Sequence, residues 1–185
     1  MIGKNIYLLD ATLRDGGQGL EDLHKNGFSD KIFSEETKHK TIDLLGESNV
    51  DIIEIGTMGP SVDDKSKFAI YQNVEELSQY LPEKKSPNAL YAGLYIGPDT
   101  DVNDIPDWNP SIVEGIRVIL RYSELQKSLD YCAALSEKGY KVFVQPMLTM
   151  RYSDAELDLV IESANKMKAY ACYFVDSYGY MQTIV

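Results

Sequence analysis

Short apolar segments alternate with helical segments along the chain, and this alternation constrains the fold more than any other feature. The segments with the length and punctuation of strands lie at 6–9, 50–55, 90–96, 115–120, 140–144 and 171–175. They recur at a spacing of roughly thirty residues, which is long enough for each connection to return the chain to the same edge of a sheet. The strands are therefore predicted to pair in parallel.

Apolar residues at helical spacing, together with recognisable end signals, predict the helices between these strands. The predicted spans are 34–45, 73–80, 124–138, a segment that begins at Ser153 and another that begins near Met181. Ser34 is a suitable N-cap, and Ser153 with Glu156 has the spacing of a capping box. The residues expected on the buried side of the first helix are Thr37, Thr41, Leu44 and Leu45.

An aspartate-rich run occupies the space in which a helix should stand between the third and fourth strands. This run, 99–107, contains neither the glycine nor the distal glutamate that an EF-hand calcium loop requires. We interpret it as a solvated loop.

The composition excludes several classes of protein. A formal net charge of -11 and a pI of about 4.6 argue against a nucleic-acid partner, which needs clustered Lys and Arg. The sequence has neither a membrane-spanning apolar run nor the apolar region of a signal peptide, so we expect a cytoplasmic protein without a membrane partner. Cys132 and Cys172 form no CxxC pair, and we expect both to be reduced core residues rather than zinc ligands.

Two architectures agree with alternating parallel strands: an open doubly wound sheet and a (β/α)8 barrel of the TIM type. The length of 185 residues suits the first and is short for the second. Polar residues lie near the carboxyl end of almost every strand or just after it, whereas an open sheet would gather them at one switch point. These residues are Arg14, Asp15, Gln18, Glu54, Arg121, Gln145 and Ser177. We therefore predict one α/β domain of the TIM-barrel type over 1–185, incomplete after about six strand-helix units.

Two features of the segment after the first strand leave alternatives open. The pair Gly16-Gly17 is either a turn that lets the backbone approach a ligand or an ordinary tight turn. Arg14 beside Asp15 is either part of a functional site or a structural ion pair. No GxGxxG or GxxxxGK[ST] motif occurs, so no nucleotide cofactor is expected.

One nine-residue run is specific enough to suggest a family. The run 10–18, DATLRDGGQ, resembles the D-x-T-L-R-D-G-x-Q motif of the DRE-TIM metallolyases, which include 3-hydroxy-3-methylglutaryl-CoA lyase and isopropylmalate synthase. Three further segments match in order: 50–56, Tyr152-Ser153 and 176–179. The LRDGG form is most similar to the 4-hydroxy-2-oxovalerate aldolase-like branch.

The resemblance implies a chemistry and a role for several residues. It implies a divalent-metal-dependent aldolase or lyase that cleaves or forms a C-C bond of a small 2-oxo or hydroxy acid through an enolate. Asp15 would bind the metal, Mg²⁺ or Mn²⁺, and Arg14 would stabilise the enolate. Gln18 matches a catalytic position where true oxovalerate aldolases have a histidine base, while Glu54 and Ser177 match substrate-facing positions. Because Arg121 and Gln145 follow strands, we expect them to bind substrate as well.

Other chemistries are weighed against this one. A Schiff-base aldolase needs a lysine near the carboxyl end of a strand, but Lys141 opens its strand, so this route is rejected. A Claisen-type acyl-CoA condensing enzyme is favoured by Gln18 in place of histidine, and a non-catalytic module used in assembly or binding is the third possibility.

The family's remaining metal ligands form an H-x-H pair that does not occur in these 185 residues. The two histidines present are His24, expected in the loop after the first strand, and His39, expected on the helix surface. We therefore expect this segment alone to be inactive. We also expect it to self-associate, because an unclosed barrel exposes strand edges.

Overall fold

A computed structural model of the protein describes residues 6–61 and 63–179. Its strands are β1 (Leu9–Asp10), β2 (Ile52–Met58), β3 (Ile70–Tyr71), β4 (Leu90–Ile96), β5 (Gly115–Leu120), β6 (Lys141–Pro146) and β7 (Ala171–Cys172). Its α-helices are α1 (Thr12–Lys25), α2 (Glu35–Glu47), α3 (Val74–Ser78), α4 (Leu125–Glu137) and α5 (Asp154–Lys166). Within the described ranges, no helix has the length and apolar character needed to cross a membrane.

The chain divides into two compact units, of which the first consists of Met1–Leu94 and Asn109–Glu114. Its sheet is centred on β2, which is buried along its whole length. β1 pairs in parallel with the start of β2, and β3 pairs in parallel with its end. Aliphatic residues from the strands and from α1, α2 and α3 form the core. They include Leu13, Ile42, Ile53, Ile55, Val74 and Leu77.

The second unit consists of Tyr95–Trp108 and Gly115–Val185. β5, β6 and β7 pair in parallel, with Gly115 opposite Lys141 and Phe143 opposite Ala171. One face of β5 and β6 carries buried aliphatic residues, and α4 and α5 add Leu129, Leu135 and Val160 to the core of this unit. Cys132 is fully buried, and burial raises the pKa of its thiol to about 12. Cys172 is only partly buried, and both cysteines are free thiols.

The predicted fold class, an α/β structure with parallel strands of the TIM-barrel type, is confirmed. Two strands, 90–96 and 115–120, have the predicted bounds. The caps are confirmed too: Ser34 accepts a hydrogen bond from the amide of Thr37, and Ser153 with Glu156 forms a complete capping box. The run 99–107 forms a single 3-10 turn within a mostly exposed segment.

Several local predictions are wrong. The glycine-rich segment after the first strand is helical and contains Gly16 and Gly17, so it is neither a ligand-binding turn nor a tight turn. In α2 the buried residues are Lys38 and Ile42, whereas Leu44 is exposed. The first strand is displaced toward the C-terminus, at Leu9–Asp10 rather than 6–9. The last strand and the second predicted helix are shorter than predicted, at Ala171–Cys172 and Val74–Ser78. The helix predicted from Met181 lies outside the described residues.

Candidate active site

The run DATLRDGGQ does not stay extended after β1 but turns directly into α1. The carboxylate of Asp10 accepts hydrogen bonds from the amide and the hydroxyl of Thr12, at 3.0 and 2.9 Å. Short polar side chains commonly satisfy the first free amides of a helix in this way. Arg14, Asp15 and Gln18 therefore lie in the first two turns of α1, at the carboxyl end of β1.

Arg14 is the centre of a polar cluster in the first unit. Its Nε donates to Oε2 of Glu54 at 2.7 Å, and its Nη1 donates to Oδ1 of Asp15 at 2.8 Å. Nη1 also reaches Oε1 of Gln18 at 3.5 Å, and Nε2 of Gln18 donates to the hydroxyl of Thr57 at 3.3 Å. All five residues come from the first two turns of α1 or from β2. The structure thus brings together Arg14, Asp15, Gln18 and Glu54, as the resemblance implies.

The two carboxylates that contact Arg14 differ in exposure. The side chain of Glu54 is 0% exposed, that of Asp15 is 74% exposed, and that of Arg14 is 15% exposed. Since a buried carboxylate is stable only with a close cation or good hydrogen bonds, Glu54 fixes the guanidinium firmly. Among the described residues, the hydrogen bonds of Arg14 use Nε and Nη1 and leave Nη2 for another acceptor.

A divalent cation needs several hard oxygen or nitrogen donors within one coordination sphere. Asp15 supplies one exposed carboxylate of the right kind. However, the described part of the chain contains no group of three or more His, Cys, Asp or Glu residues that could hold a metal ion. These residues therefore do not form a complete metal site by themselves.

Among the described residues, the contacts of neither histidine include Arg14. His24 lies in the last turn of α1 rather than in a loop, where its ring packs against Phe68 and its Nδ1 is 3.3 Å from the carbonyl of Ser29. His39 is exposed on α2, as predicted, and its ring lies next to Tyr80.

The remaining predicted substrate residues belong to the second unit. Arg121 is partly exposed, and its guanidinium contacts the carboxylates of Asp99 at 2.6 Å and Glu124 at 3.0 Å. The hydroxyl of Ser177 accepts a hydrogen bond from the amide of Leu148 at 3.0 Å. Gln145 is 7% exposed, and its Oε1 has no hydrogen-bond partner among the described residues. Of these three, Gln145 has the side chain that is best placed to accept a hydrogen bond from a ligand.

Sequence reasoning missed several buried polar residues, among them Thr57, Lys38 and Arg117. Arg117 lies on β5 opposite Phe143, and it shares a face of the strand with Ile119, which lies opposite Gln145. Its guanidinium lies 5.9 Å from the ring centre of Tyr173. A charged residue within the apolar run GIRVIL was a usable signal, because such a residue is rarely buried without a reason.

Comparisons with known proteins give similarity in structure only. No protein-family model matches the chain, and no curated protein matches it. The N-terminal domain of a candidate aldolase from Bacteroides vulgatus matches with a TM-score of 0.71 and 19% identity, over 96% of this chain and 56% of that one. The carboxyl transferase domain of Rhizobium etli pyruvate carboxylase matches with a TM-score of 0.62 and 17% identity, over 98% of this chain and 32% of that one.

A second structure of that carboxyl transferase domain, with pyruvate and biocytin, matches with a TM-score of 0.55 and 15% identity, over 98% of this chain and 32% of that one. The chain thus spans about half of the first of these structures and about a third of the others. At such low identities the matches support the fold, an α/β domain with parallel strands, and not an activity.

Proposed function

We propose that this chain carries the enolate-stabilising part of an aldolase or lyase that cleaves or forms a C-C bond in a small 2-oxo acid. The observation that carries the proposal is Arg14, which is held on a fully buried carboxylate and whose Nη2 makes no hydrogen bond to the described residues, so that it can donate to an outside acceptor. Arginine stays protonated at any working pH, so it offers a permanent positive charge to a developing oxyanion. Its position after β1 is the end of a strand where barrel enzymes place reactive groups.

The chemistry requires a place for negative charge. In a 4-hydroxy-2-oxo acid the C3–C4 bond would break as the C4 hydroxyl loses its proton to water, so that the leaving fragment departs as a carbonyl compound. The electron pair of the broken bond would form a C2=C3 double bond while the π pair of the ketone moves onto its oxygen. The resulting enolate would then take a proton from water at C3 to give the 2-oxo acid product. Arg14 would bind the ketone oxygen or the carboxylate of the substrate, and Glu54 would keep the guanidinium in one orientation. Gln18, held by Thr57 at 3.3 Å, would donate or accept a hydrogen bond beside it.

The proposal includes a divalent cation, Mg²⁺ or Mn²⁺, for which Asp15 is the proposed ligand. When bound, such a cation would supply a second positive charge to the substrate oxygens. Asp15 is the one member of the cluster with an exposed carboxylate, and hard oxygen suits both metals. Because the described residues contain no group of three candidate ligands, no step above depends on the metal.

A 2-oxo acid is the proposed substrate class because the carboxyl transferase domain that shares this fold has been solved with pyruvate. Gln145, Arg121 and Ser177 remain proposed substrate contacts on the ground that each lies near the carboxyl end of a parallel strand or after it. Gln145 has the further support of a buried carbonyl oxygen that has no partner among the described residues.

The experiment is a lyase assay with a panel of short 4-hydroxy-2-oxo acids, in which released pyruvate is measured with lactate dehydrogenase. It uses the full-length gene product with Mn²⁺ or Mg²⁺ added. We expect Arg14→Met to lower kcat by about a hundredfold or more, which is typical for loss of one oxyanion-stabilising donor. Asp22→Asn, an exposed carboxylate change in the same helix, is the control and should retain wild-type rates. Wild-type turnover that Arg14→Met leaves unchanged would refute the proposal.

A Claisen-type acyl-CoA condensing enzyme is the second candidate, favoured by Gln18 at the position where a histidine base is expected in the aldolases. It is tested with acetyl-CoA and the same 2-oxo acids by measuring free CoA thiol. Thiol release that depends on the 2-oxo acid, without pyruvate release from hydroxy acids, would select this candidate.

A non-catalytic module is the third candidate, and the absence of a three-ligand group among the described residues favours it. Calorimetry with Mn²⁺ on the wild type and on Asp15→Asn tests it directly. Equal and negligible binding by both proteins would support this reading, whereas binding that Asp15→Asn abolishes would support the metal-dependent enzyme.

A further inference from the structure

Lys38 is a fully buried lysine near the start of α2. Its ammonium donates to the hydroxyl of Tyr80 at 2.7 Å and to the carbonyl of Ser66 at 3.0 Å, and it pairs with Glu35 at 2.5 Å. It also lies 4.2 Å from the ring centre of Tyr80. Burying a charged group is costly unless its surroundings satisfy every donor, and here three acceptors converge on one ammonium. Lys38 therefore fastens α2 to the segment that contains Ser66.

That segment is a turn in a strained conformation. Ser66–Phe68 forms a 3-10 turn that ends at Ala69, whose φ of 52° is in the left-handed region. A residue with a Cβ rarely adopts this region, so the surrounding structure must hold it there. The carbonyl of Ser66 accepts hydrogen bonds from the amide of Ala69 at 2.9 Å and from Lys38. Lys38 thus binds the same oxygen that closes the strained turn.

The turn is also the surface on which α1 packs. A Cβ on Gly17 would lie 1.8 Å from the carbonyl oxygen of Phe68, so the helix and the turn are in direct backbone contact. A second link joins Glu21 of α1 to Lys65 at 3.1 Å. Gly17 and Glu21 lie on the same helix as Arg14, Asp15 and Gln18. The position of α1, and hence of its polar residues, depends on where the turn lies.

The turn reaches the polar cluster by a second route through β2. The carbonyl of Ala69 accepts a hydrogen bond from the amide of Thr57 at 3.0 Å. The hydroxyl of Thr57 accepts a hydrogen bond from the side-chain Nε2 of Gln18 at 3.3 Å. Displacement of Ala69 would therefore move both partners of the Gln18 contact, one through α1 and one through β2.

We propose that Lys38 is a positioning residue, which keeps the 65–69 turn in its strained form by donating a hydrogen bond to the carbonyl of Ser66. The 65–69 turn then places α1, with Arg14, Asp15 and Gln18, against β2. The inference rests on the proposed function only in assigning those three residues to the active site. Its structural part, the coupling of Lys38 to α1, is independent of any substrate.

The test is amide hydrogen exchange of the full-length protein, followed by mass spectrometry, for the wild type, Lys38→Met and Ile42→Ala. Methionine keeps the length of the side chain and removes the ammonium. Ile42 is a fully buried apolar residue of the same helix, so Ile42→Ala lowers overall stability through a cavity without touching Ser66. Exchange is compared at urea concentrations that give the two variants equal overall stability, so that local opening is separated from global unfolding.

We expect peptides that cover 11–20 and 64–70 to exchange about tenfold faster in Lys38→Met than in Ile42→Ala, while peptides from α4 and α5 exchange alike. Equal exchange of the 11–20 peptide in the two variants would overturn the proposal. If Lys38→Met does not fold, Tyr80→Phe is measured in the same way, because it removes one acceptor of the ammonium and keeps the ring. Selective exposure of the same two peptides would support the proposal, and no selective change would overturn it.

A kinetic measurement separates the positioning role from the proposed function. With a substrate that the wild type turns over, Lys38→Met should lower kcat more than it raises KM, whereas Ile42→Ala should leave both nearly unchanged at a temperature where it is folded. If no substrate is turned over but the 11–20 peptide exchanges faster in Lys38→Met, the proposed function fails and the positioning inference stands. The reverse pattern, turnover with unchanged exchange, removes the inference and leaves the function.

Discussion

At the scale of single residues, the two carboxylates on Arg14 should contribute very differently to stability. Glu54 is fully buried and Asp15 is mostly exposed, although both lie within 2.8 Å of the guanidinium. Removing one partner of a buried ion pair typically costs 3–5 kcal/mol, and removing a partner of an exposed pair about 0–1 kcal/mol. Because Arg14 is slightly exposed, we expect Glu54→Gln to lower the free energy of unfolding by roughly 2–4 kcal/mol.

Urea unfolding of Glu54→Gln and Asp15→Asn, followed by circular dichroism, checks this difference. Each variant replaces a carboxylate that contacts Arg14 by a neutral carboxamide of the same size, so the two variants serve as controls for each other. Asp15→Asn should change stability by less than about 1 kcal/mol. Equal losses in the two variants would show that Glu54 does not hold Arg14 in the way described here.

The cluster around Arg14 was predictable and Lys38 was not, for different physical reasons. The run DATLRDGGQ names Arg14, Asp15 and Gln18 by residue type and spacing, and Glu54 is an unusual carboxylate within an apolar strand. Lys38 follows Glu35 and Glu36 in a helix rich in charged residues, a pattern typical of a solvated surface. Only the tertiary contacts to Ser66 and Tyr80 reveal that it is buried.

At the scale of elements, α1 shows tertiary packing overriding local preference. Two adjacent glycines disfavour a helix, which is why the sequence predicts a loop there. Gly17 nevertheless lies in the helix. A glycine is needed at this position because the 65–69 turn approaches the helix backbone too closely for any side chain. Gly19, two residues further along α1, has no atom within 4 Å of the position of a Cβ. The two glycines therefore offer a matched pair of substitutions.

Gly19→Ala should raise the free energy of unfolding by about 0.5–1 kcal/mol, since alanine is the better helix former. Gly17→Ala gains the same preference but places a methyl group 1.8 Å from the Phe68 carbonyl oxygen, and overpacking against backbone costs about 1–3 kcal/mol or more. We expect a net loss for Gly17→Ala and a gain for Gly19→Ala in the same thermal or urea unfolding measurement. A gain for both variants would mean that α1 does not pack on the turn.

The link between α1 and the turn should also depend on pH through Glu21. Burial by itself raises the pKa of Glu21, but hydrogen bonds from Lys25 and Lys65 outweigh it, and the pKa lies below its ordinary value. A carboxylate with a lowered pKa stabilises the fold above the unfolded-state pKa, and the stabilisation disappears as the pH falls through the folded-state pKa.

Glu21→Gln should therefore lower the free energy of unfolding by about 0.5–1 kcal/mol at pH 7, as for other ion pairs that are partly exposed. The difference between the wild type and Glu21→Gln should shrink as the pH falls below the ordinary glutamate range, because the wild-type carboxylate then becomes protonated. Urea unfolding across this acid range provides the measurement. A difference that stays constant throughout would show that the charge of Glu21 contributes nothing.

Element boundaries were predictable where the chain itself marks them. The strands 90–96 and 115–120 are buried apolar runs, and the first is stopped by Gly97-Pro98. The helices with side-chain caps, α2 and α5, begin where Ser34 and Ser153 predict. Boundaries set by tertiary contacts were missed, as at the short β1 and at β3, whose two residues pair with β2 after the turn.

At the scale of the whole chain, the fold class follows from the alternation of strands and helices, and the architecture was inferred from chemistry. Parallel pairing is dictated by connection length, but both the open sheet and the barrel satisfy it. The distribution of polar residues at strand ends favoured the barrel, and the match to the candidate aldolase domain supports that choice with a TM-score of 0.71. The division into two compact units has no signal in the sequence, because no linker-like composition marks Leu94 or Asn109.

Self-association of the 185-residue chain remains a prediction for the whole molecule. β1 pairs with β2 alone among the described strands, and the residues that lead into it, Ile6, Tyr7 and Leu8, are 88%, 58% and 57% exposed. An apolar strand edge of this kind is a template for pairing with another chain, and a second copy of this chain is the partner present in any purified sample.

Sedimentation velocity at micromolar concentration should show dimers or larger species for the wild type. Ile6→Lys combined with Leu8→Lys should shift the distribution toward monomer, because charges at a strand edge oppose pairing. Phe28→Lys places the same charge on another exposed apolar residue, one in the segment after α1, and should leave the distribution unchanged. A well-folded wild type that stays monomeric would contradict the prediction, and dissociation by Phe28→Lys alone would place the contact away from β1.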